Sequence, residues 1–136
     1  MTIVLDGSAT LAWCFADETT PAIDAIMVQV GNEGAFAPSL WRYEVANGLQ
    51  MAVRRNRIDE AYRDQVLADL VALDIHIDVE SDSHVWAATT QIAARYGLTV
   101  YDAANLELAQ RRRLPLATLD AALIRAAAQA GVRVTP

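Results

Sequence analysis

The sequence predicts an α/β domain with a mostly parallel central sheet of four to five strands, covered by helices on both faces. Three observations support this. Short apolar runs rich in β-branched residues alternate with longer stretches whose apolar positions recur at i, i+3, i+4 and i+7, the mark of repeated β-then-α units. Several of the short runs end in a turn or helix-cap residue, as a strand feeding a crossover helix must. The 136 residues show no linker, repeat or low-complexity stretch, which suits a single domain over residues 1–136 with a proper core.

In chain order, Ile3-Val4-Leu5 reads as a buried strand, followed by Asp6, Gly7 and a helix from Ser8 through Phe15. Thr20-Pro21 opens a second helix, with Ile23, Ile26, Met27 and Val30 on one face and Gly31 as its expected end. Ala35-Phe36-Ala37 is a short strand closed by Pro38, and a long helix runs from about Ser39 to Arg54. Asp59 caps a helix through Leu73. Ile75, Ile77 and Val79 alternate with His76 and Asp78, a strand with one wetter face. One helix is expected from Ser81 to Gly97 and another opening at Asp102. Leu114 to Thr118 is a strand, Asp120 to Ala130 a helix closed by Gly131, and Val132 to Val134 a last strand.

Composition removes several classes. No apolar run approaches the roughly 18 residues of a membrane helix, and the chain enters a strand too early for a signal peptide, so a cytoplasmic protein without a membrane partner is expected. Cys14 is a lone thiol with no disulfide partner, and neither it nor His76 or His84 belongs to a set with zinc spacing. The net charge of −6 argues against a surface that coats nucleic acid. All eleven basic residues are Arg, and without Lys neither a P-loop nor a receiver domain is possible. A phosphatase with an aspartyl nucleophile would need a second Asp where Ser8 stands.

Attention then falls on the acids. Asp6, Asp102 and Asp120 are each expected where a strand gives way to a helix, and in a parallel sheet those junctions share one edge. Glu44 interrupts an apolar surface of the long helix, with Asn47 one turn on, and can reach the same place. Each Asp alone is also a good helix cap. As a set, like charges brought together call for a cation to hold them.

These residues carry a resemblance. Val4-Leu5-Asp6-Gly7-Ser8, Glu44-Val45-Ala46-Asn47, Tyr101-Asp102-Ala103-Ala104 with Leu106 and Leu108-Ala109, and Leu116-Ala117-Thr118-Leu119-Asp120 resemble, in order and spacing, the PIN-domain ribonucleases, most closely the VapC toxins of toxin–antitoxin pairs. Asn105 departs from the pattern, standing where an aromatic residue is frequent. The resemblance implies an acidic pocket of Asp6, Glu44, Asp102 and Asp120 that holds Mg²⁺, with Mn²⁺ as substitute, and hydrolyses RNA phosphodiester bonds. Asp6 and Asp102 would be direct ligands, with Glu44 and Asp120 completing the pocket. Ser8, Asn47 and Thr118 are candidates to hold the carboxylates in place by hydrogen bonds.

It also implies a homodimer and a cognate antitoxin that blocks the pocket. Two further readings stay open: a PIN nuclease of RNA processing without an antitoxin, and a non-catalytic PIN-like module. Arg54, Arg55 and Arg57 at one helix end, and Arg111, Arg112 and Arg113 at another, are expected either to favour helix C-termini or to hold RNA phosphates.

Overall fold

Five short parallel strands form the centre of the protein, in the order β3-β2-β1-β4-β5. They are β1 (Ile3–Leu5), β2 (Ala35–Ala37), β3 (Ile75–Ile77), β4 (Leu116–Ala117) and β5 (Val134–Thr135). The structure, a computed structural model, describes residues 1–136. Eight helices connect the strands: α1 (Gly7–Cys14), α2 (Pro21–Glu33), α3 (Leu40–Arg54), α4 (Glu60–Ala72), α5 (Glu80–Ser83), α6 (Thr90–Tyr96), α7 (Val100–Arg112) and α8 (Ala121–Gln129).

β1 is buried on both faces, which is why it reads as an unbroken apolar run rather than an alternating one. Ile3 and Leu5 join a core built with α1 to α4, where Ile23, Met27, Val30, Trp41, Val45, Leu49, Val66 and Leu70 pack. Val4 faces the other way, into a second core with Leu106, Leu108, Leu116 and Leu123 from α7, β4 and α8. Helices thus cover both faces, as expected. α1 and α3 approach closely at Gly48, where a Cβ would stand 2.6 Å from a methyl of Leu11.

Several boundaries differ from expectation. α2 passes through Gly31 and stops at Glu33, because Gly34 with φ +75 supplies the turn and donates its N–H to Val30 O. The helix expected from Ser81 to Gly97 is broken at Ala87, within a wider stretch over Val85–Thr89. There Thr89 N–H donates to His84 O, five residues back, and the Thr90 hydroxyl fills Val85 O at 2.6 Å. Asp102 follows a helix, not a strand: Gly97 ends α6 in a left-handed conformation and Thr99 caps α7, leaving only Leu98 between. β4 and β5 are also shorter or shifted relative to the apolar runs that signalled them. No helix is long and apolar enough to cross a membrane.

Candidate active site

β2 and β3 lie on one side of β1, and β4 and β5 on the other. The carboxyl ends of β1 and β4 therefore flank the point where the winding of the sheet reverses, the place where open α/β sheets bind ligands. Asp6 ends β1 and is 2% exposed. It occupies the N-cap position of α1, yet its side chain makes no capping bond. Instead its Oδ2 accepts hydrogen bonds from Ser8 Oγ at 2.6 Å and Thr118 Oγ1 at 2.7 Å, and its Oδ1 accepts from Asn105 Nδ2 at 3.3 Å.

The two hydroxyls also hold the loop after β4. Leu119 N–H donates to Ser8 Oγ at 3.0 Å, and Asp120 N–H to Thr118 Oγ1 at 3.1 Å. Beneath them Trp41 Nε1 donates to Thr10 Oγ1, whose hydroxyl donates to Asp6 O, so α3 braces the backbone that presents the carboxylate.

The other three acids arrive from three elements. Glu44, on α3, lies against Gly7: a Cβ there would stand 3.3 Å from both Cβ and Oε2 of Glu44. Asp102 sits in the first turn of α7, where Thr99 does the capping, so its carboxylate is free of that task. Asp120 does cap, accepting Leu123 N–H at 2.9 Å on Oδ2, which leaves Oδ1 available. Burial and then the charges of Asp6 and Asp102 push the Glu44 carboxyl up to about 7. Burial and then the charges of Asp120 and Asp6 also raise Asp102, against a smaller lowering from Thr99. The four carboxylates thus share one electrostatic neighbourhood.

A stability prediction follows. A raised folded-state pKa means the folded chain binds protons that the unfolded chain has released, so the contribution is present below the unfolded value and is lost as pH rises. For Glu44 the window runs from the ordinary 4.5 to about 7. In EDTA the denaturation midpoint should fall between pH 5 and pH 7.5, and Glu44→Gln should flatten that fall. An equal or steeper fall in the variant would remove Glu44 from the pocket's electrostatics.

The remaining sequence candidates are placed differently. Asn47 is exposed on α3 and makes no hydrogen bond to the acids. Arg57 pairs with Asp17 and Glu18 and lies over the Phe15 ring. Arg111 and Arg112 turn toward the end of β3, where both hold the buried Asp78. Arg54, Arg55 and Arg113 stay exposed and unpaired. Burial alone would raise the Asp78 carboxyl, but hydrogen bonds from Arg111, Arg112 and Ser81, with the Arg111 charge, hold it well below the usual carboxylate range. Asp78 looked like the wet side of a strand because alternation cannot reveal a distant guanidinium. Asn105 was legible only as a neighbour of Asp102, and its bond to Asp6 spans 99 residues of sequence.

An all-carboxylate set, with no thiol or imidazole, suits a hard divalent cation. No three of these groups already converge at metal-bonding distance.

The PIN domain family matches residues 3–129. Ribonuclease VapC3 of Pyrobaculum aerophilum is 31% identical over 120 residues, 88% of this chain and 90% of that protein. Among solved structures, PAE2754 from Pyrobaculum aerophilum superposes with a TM-score of 0.65 at 22% identity, over 93% of this chain and 84% of that one. FitAcB from Neisseria gonorrhoeae does so with a TM-score of 0.68 at 16% identity, over 100% and 97%. Those two likenesses speak for the fold, whereas the family match runs from β1 into α8 and takes in all four acids. The chain belongs to the PIN-domain family.

Proposed function

We propose that the protein is a divalent-metal-dependent endoribonuclease that serves as the toxin of a toxin–antitoxin pair in the cytoplasm. The observation that carries this reading is the meeting of four acids near the carboxyl ends of β1 and β4, close enough that Asp6 and Asp102 act on Glu44, and Asp120 and Asp6 on Asp102. The ribonuclease name borne by a relative that aligns with 88% of the chain supports the substrate.

Asp6 and Asp102 hold the cation, and Glu44 and Asp120 complete the pocket. Bound Mg²⁺, or Mn²⁺ in its place, supplies electrophilic stabilisation of charge on the scissile phosphate and acidifies water. Ser8 and Thr118 lock the Asp6 carboxylate, so it needs no rearrangement when the substrate arrives. Glu44 and Asp120 are the two carboxylates left to orient the attacking water. Tyr43 and Tyr101, 80% and 69% exposed, immediately precede Glu44 and Asp102 and offer rings on which unstacked bases can lie, which favours single-stranded RNA.

With Arg57, Arg111 and Arg112 occupied by carboxylates, and Arg113 beside Met1, Pro115 and Arg133 at the amino edge of the sheet, phosphate contacts from these clusters fall to Arg54 and Arg55. Replacing Arg54 and Arg55 by Gln should reduce the salt dependence of RNA binding by about one unit of slope per contact. An unchanged slope would return them to a solubility role.

The test of function is cleavage of single-stranded RNA by the purified protein with Mg²⁺, with Mn²⁺ and with EDTA. Cleavage only with the cation supports the proposal, and full cleavage in EDTA overturns it. The toxin role requires growth arrest on expression that is relieved by the product of a neighbouring gene. The proposed homodimer is read by light scattering of the free chain and of that complex.

A further inference from the structure

The Asp6 carboxylate has a limited number of free lone pairs. Its Oδ2 accepts from Ser8 and Thr118, which uses both acceptor positions of that oxygen. Its Oδ1 accepts once, from Asn105 Nδ2 at 3.3 Å, and keeps one position free. A cation can therefore reach Asp6 without breaking a bond only through Oδ1, on the side that Asn105 leaves open.

Asn105 itself is unusual. It is 1% exposed, one turn past Asp102 on α7, and its Nδ2 also lies 3.5 Å from Tyr101 O. Its own Oδ1 is buried with no hydrogen-bond partner. The orientation of the amide follows from its surroundings, since the flipped form would set its oxygen against two acceptors, Asp6 Oδ1 and Tyr101 O. Burying an acceptor without a donor is destabilising, so a purely structural residue here would serve better as Leu. What offsets that cost is the bond its amide N–H makes to Asp6 Oδ1 at 3.3 Å.

We propose that Asn105 is a positioning residue of the metal site, whose amide N–H fixes the Asp6 carboxylate with one Oδ1 lone pair left for the cation. This rests on the metal-dependent nuclease reading. It assigns a task to a side chain that contributes no charge to the pocket. It also accounts for a polar side chain kept where its own carbonyl is left unpaired.

The experiment compares wild type with Asn105→Leu, using Mn²⁺ alone as the probe in calorimetric titration, and cleavage of single-stranded RNA across a Mn²⁺ series. Expected is a 10- to 100-fold weaker Mn²⁺ affinity, the usual cost of losing a residue that orients a ligand. Cleavage should be lost at low Mn²⁺ and largely recovered when Mn²⁺ is raised by the same factor. In EDTA the variant should melt at or above the wild-type temperature, because it no longer buries an unpaired carbonyl. Unchanged Mn²⁺ affinity, or a loss of cleavage that no Mn²⁺ concentration restores, overturns the positioning role while the nuclease reading stands. A wild-type protein that neither binds Mn²⁺ nor cuts RNA overturns both. Asn105→Ala, read in the same two assays, replaces the Leu variant should that protein fail to fold.

Discussion

Asp102→Asn should lower RNA cleavage by about a hundredfold or more while leaving the metal-free protein as stable as wild type, or more so. The activity loss is on the scale of removing one group that stabilises transition-state charge. The stability effect has the opposite sign for a clear reason. Burial and the charges of Asp120 and Asp6 raise the Asp102 carboxyl, so the folded chain is more stable with that site neutral. Against this stands the attraction of a carboxylate to a helix N-terminus, about 0.3–1 kcal/mol at an exposed site. The raised pKa says that repulsion and desolvation win. The capping role that the sequence also allowed is absent, since Thr99 caps α7. Thermal melting in EDTA and with Mn²⁺ checks the point: the variant should melt no lower than wild type without metal and gain less from Mn²⁺. A markedly lower melting point in EDTA would contradict the proposed pocket.

Arg111→Gln should be strongly destabilising without any loss of an active-site group. Asp78 is 1% exposed and accepts from Arg111 Nη2 at 2.5 Å, Arg112 Nη2 at 2.8 Å and Ser81 Oγ at 2.7 Å. Arg111 also donates through Nε to the buried Glu107 at 2.8 Å and through Nη1 to Glu80. Removing it leaves the buried Glu107 without its guanidinium and Asp78 with Arg112 and Ser81 alone, against about 3–5 kcal/mol for breaking a fully buried pair. Arg111 keeps 21% of its side-chain surface, so the lower end applies, about 3 kcal/mol. That is a large share of the roughly 5–15 kcal/mol that holds a domain folded, and the melting temperature should drop by about 10 °C. The Asp78 pairing is present above its unfolded pKa of 3.8 and is lost as pH falls further, so the deficit should shrink in strong acid. A variant within 2–3 °C of wild type (about 1 kcal/mol) would return Arg111 to the solvent. RNA-binding assays on such a variant report its folding before they report phosphate contacts.

Local patterns announced most of the architecture. The Ile3-Val4-Leu5 run, the Thr20-Pro21 start and the Asp59 cap all appear as their chemistry requires, the two caps at 3.2 Å to Ile23 N and 2.8 Å to Tyr62 N. The four acids were legible because each stands at an element end or breaks an apolar face. What stayed hidden depends on partners far along the chain. Nothing near Asp78 in sequence shows that two guanidiniums from α7 will neutralise it. Nothing near Asn105 reveals its bond to Asp6. The break at Ala87 was equally invisible, because the residues from Ser81 to Tyr96 satisfy a helical pattern throughout.

Two residues without side chains govern the size of the pocket. Gly48 lets Leu11 of α1 settle onto α3, and one turn earlier on α3 Glu44 rests against Gly7. A methyl at Gly48 would stand 2.6 Å from a Leu11 methyl and force that side chain or the helix to move, while a methyl at Gly7 would press on Glu44 at 3.3 Å. Metal sites tolerate distance errors of only about 0.2 Å. A single methyl at either position would thus move Glu44 relative to the Asp6 loop with all four acids intact.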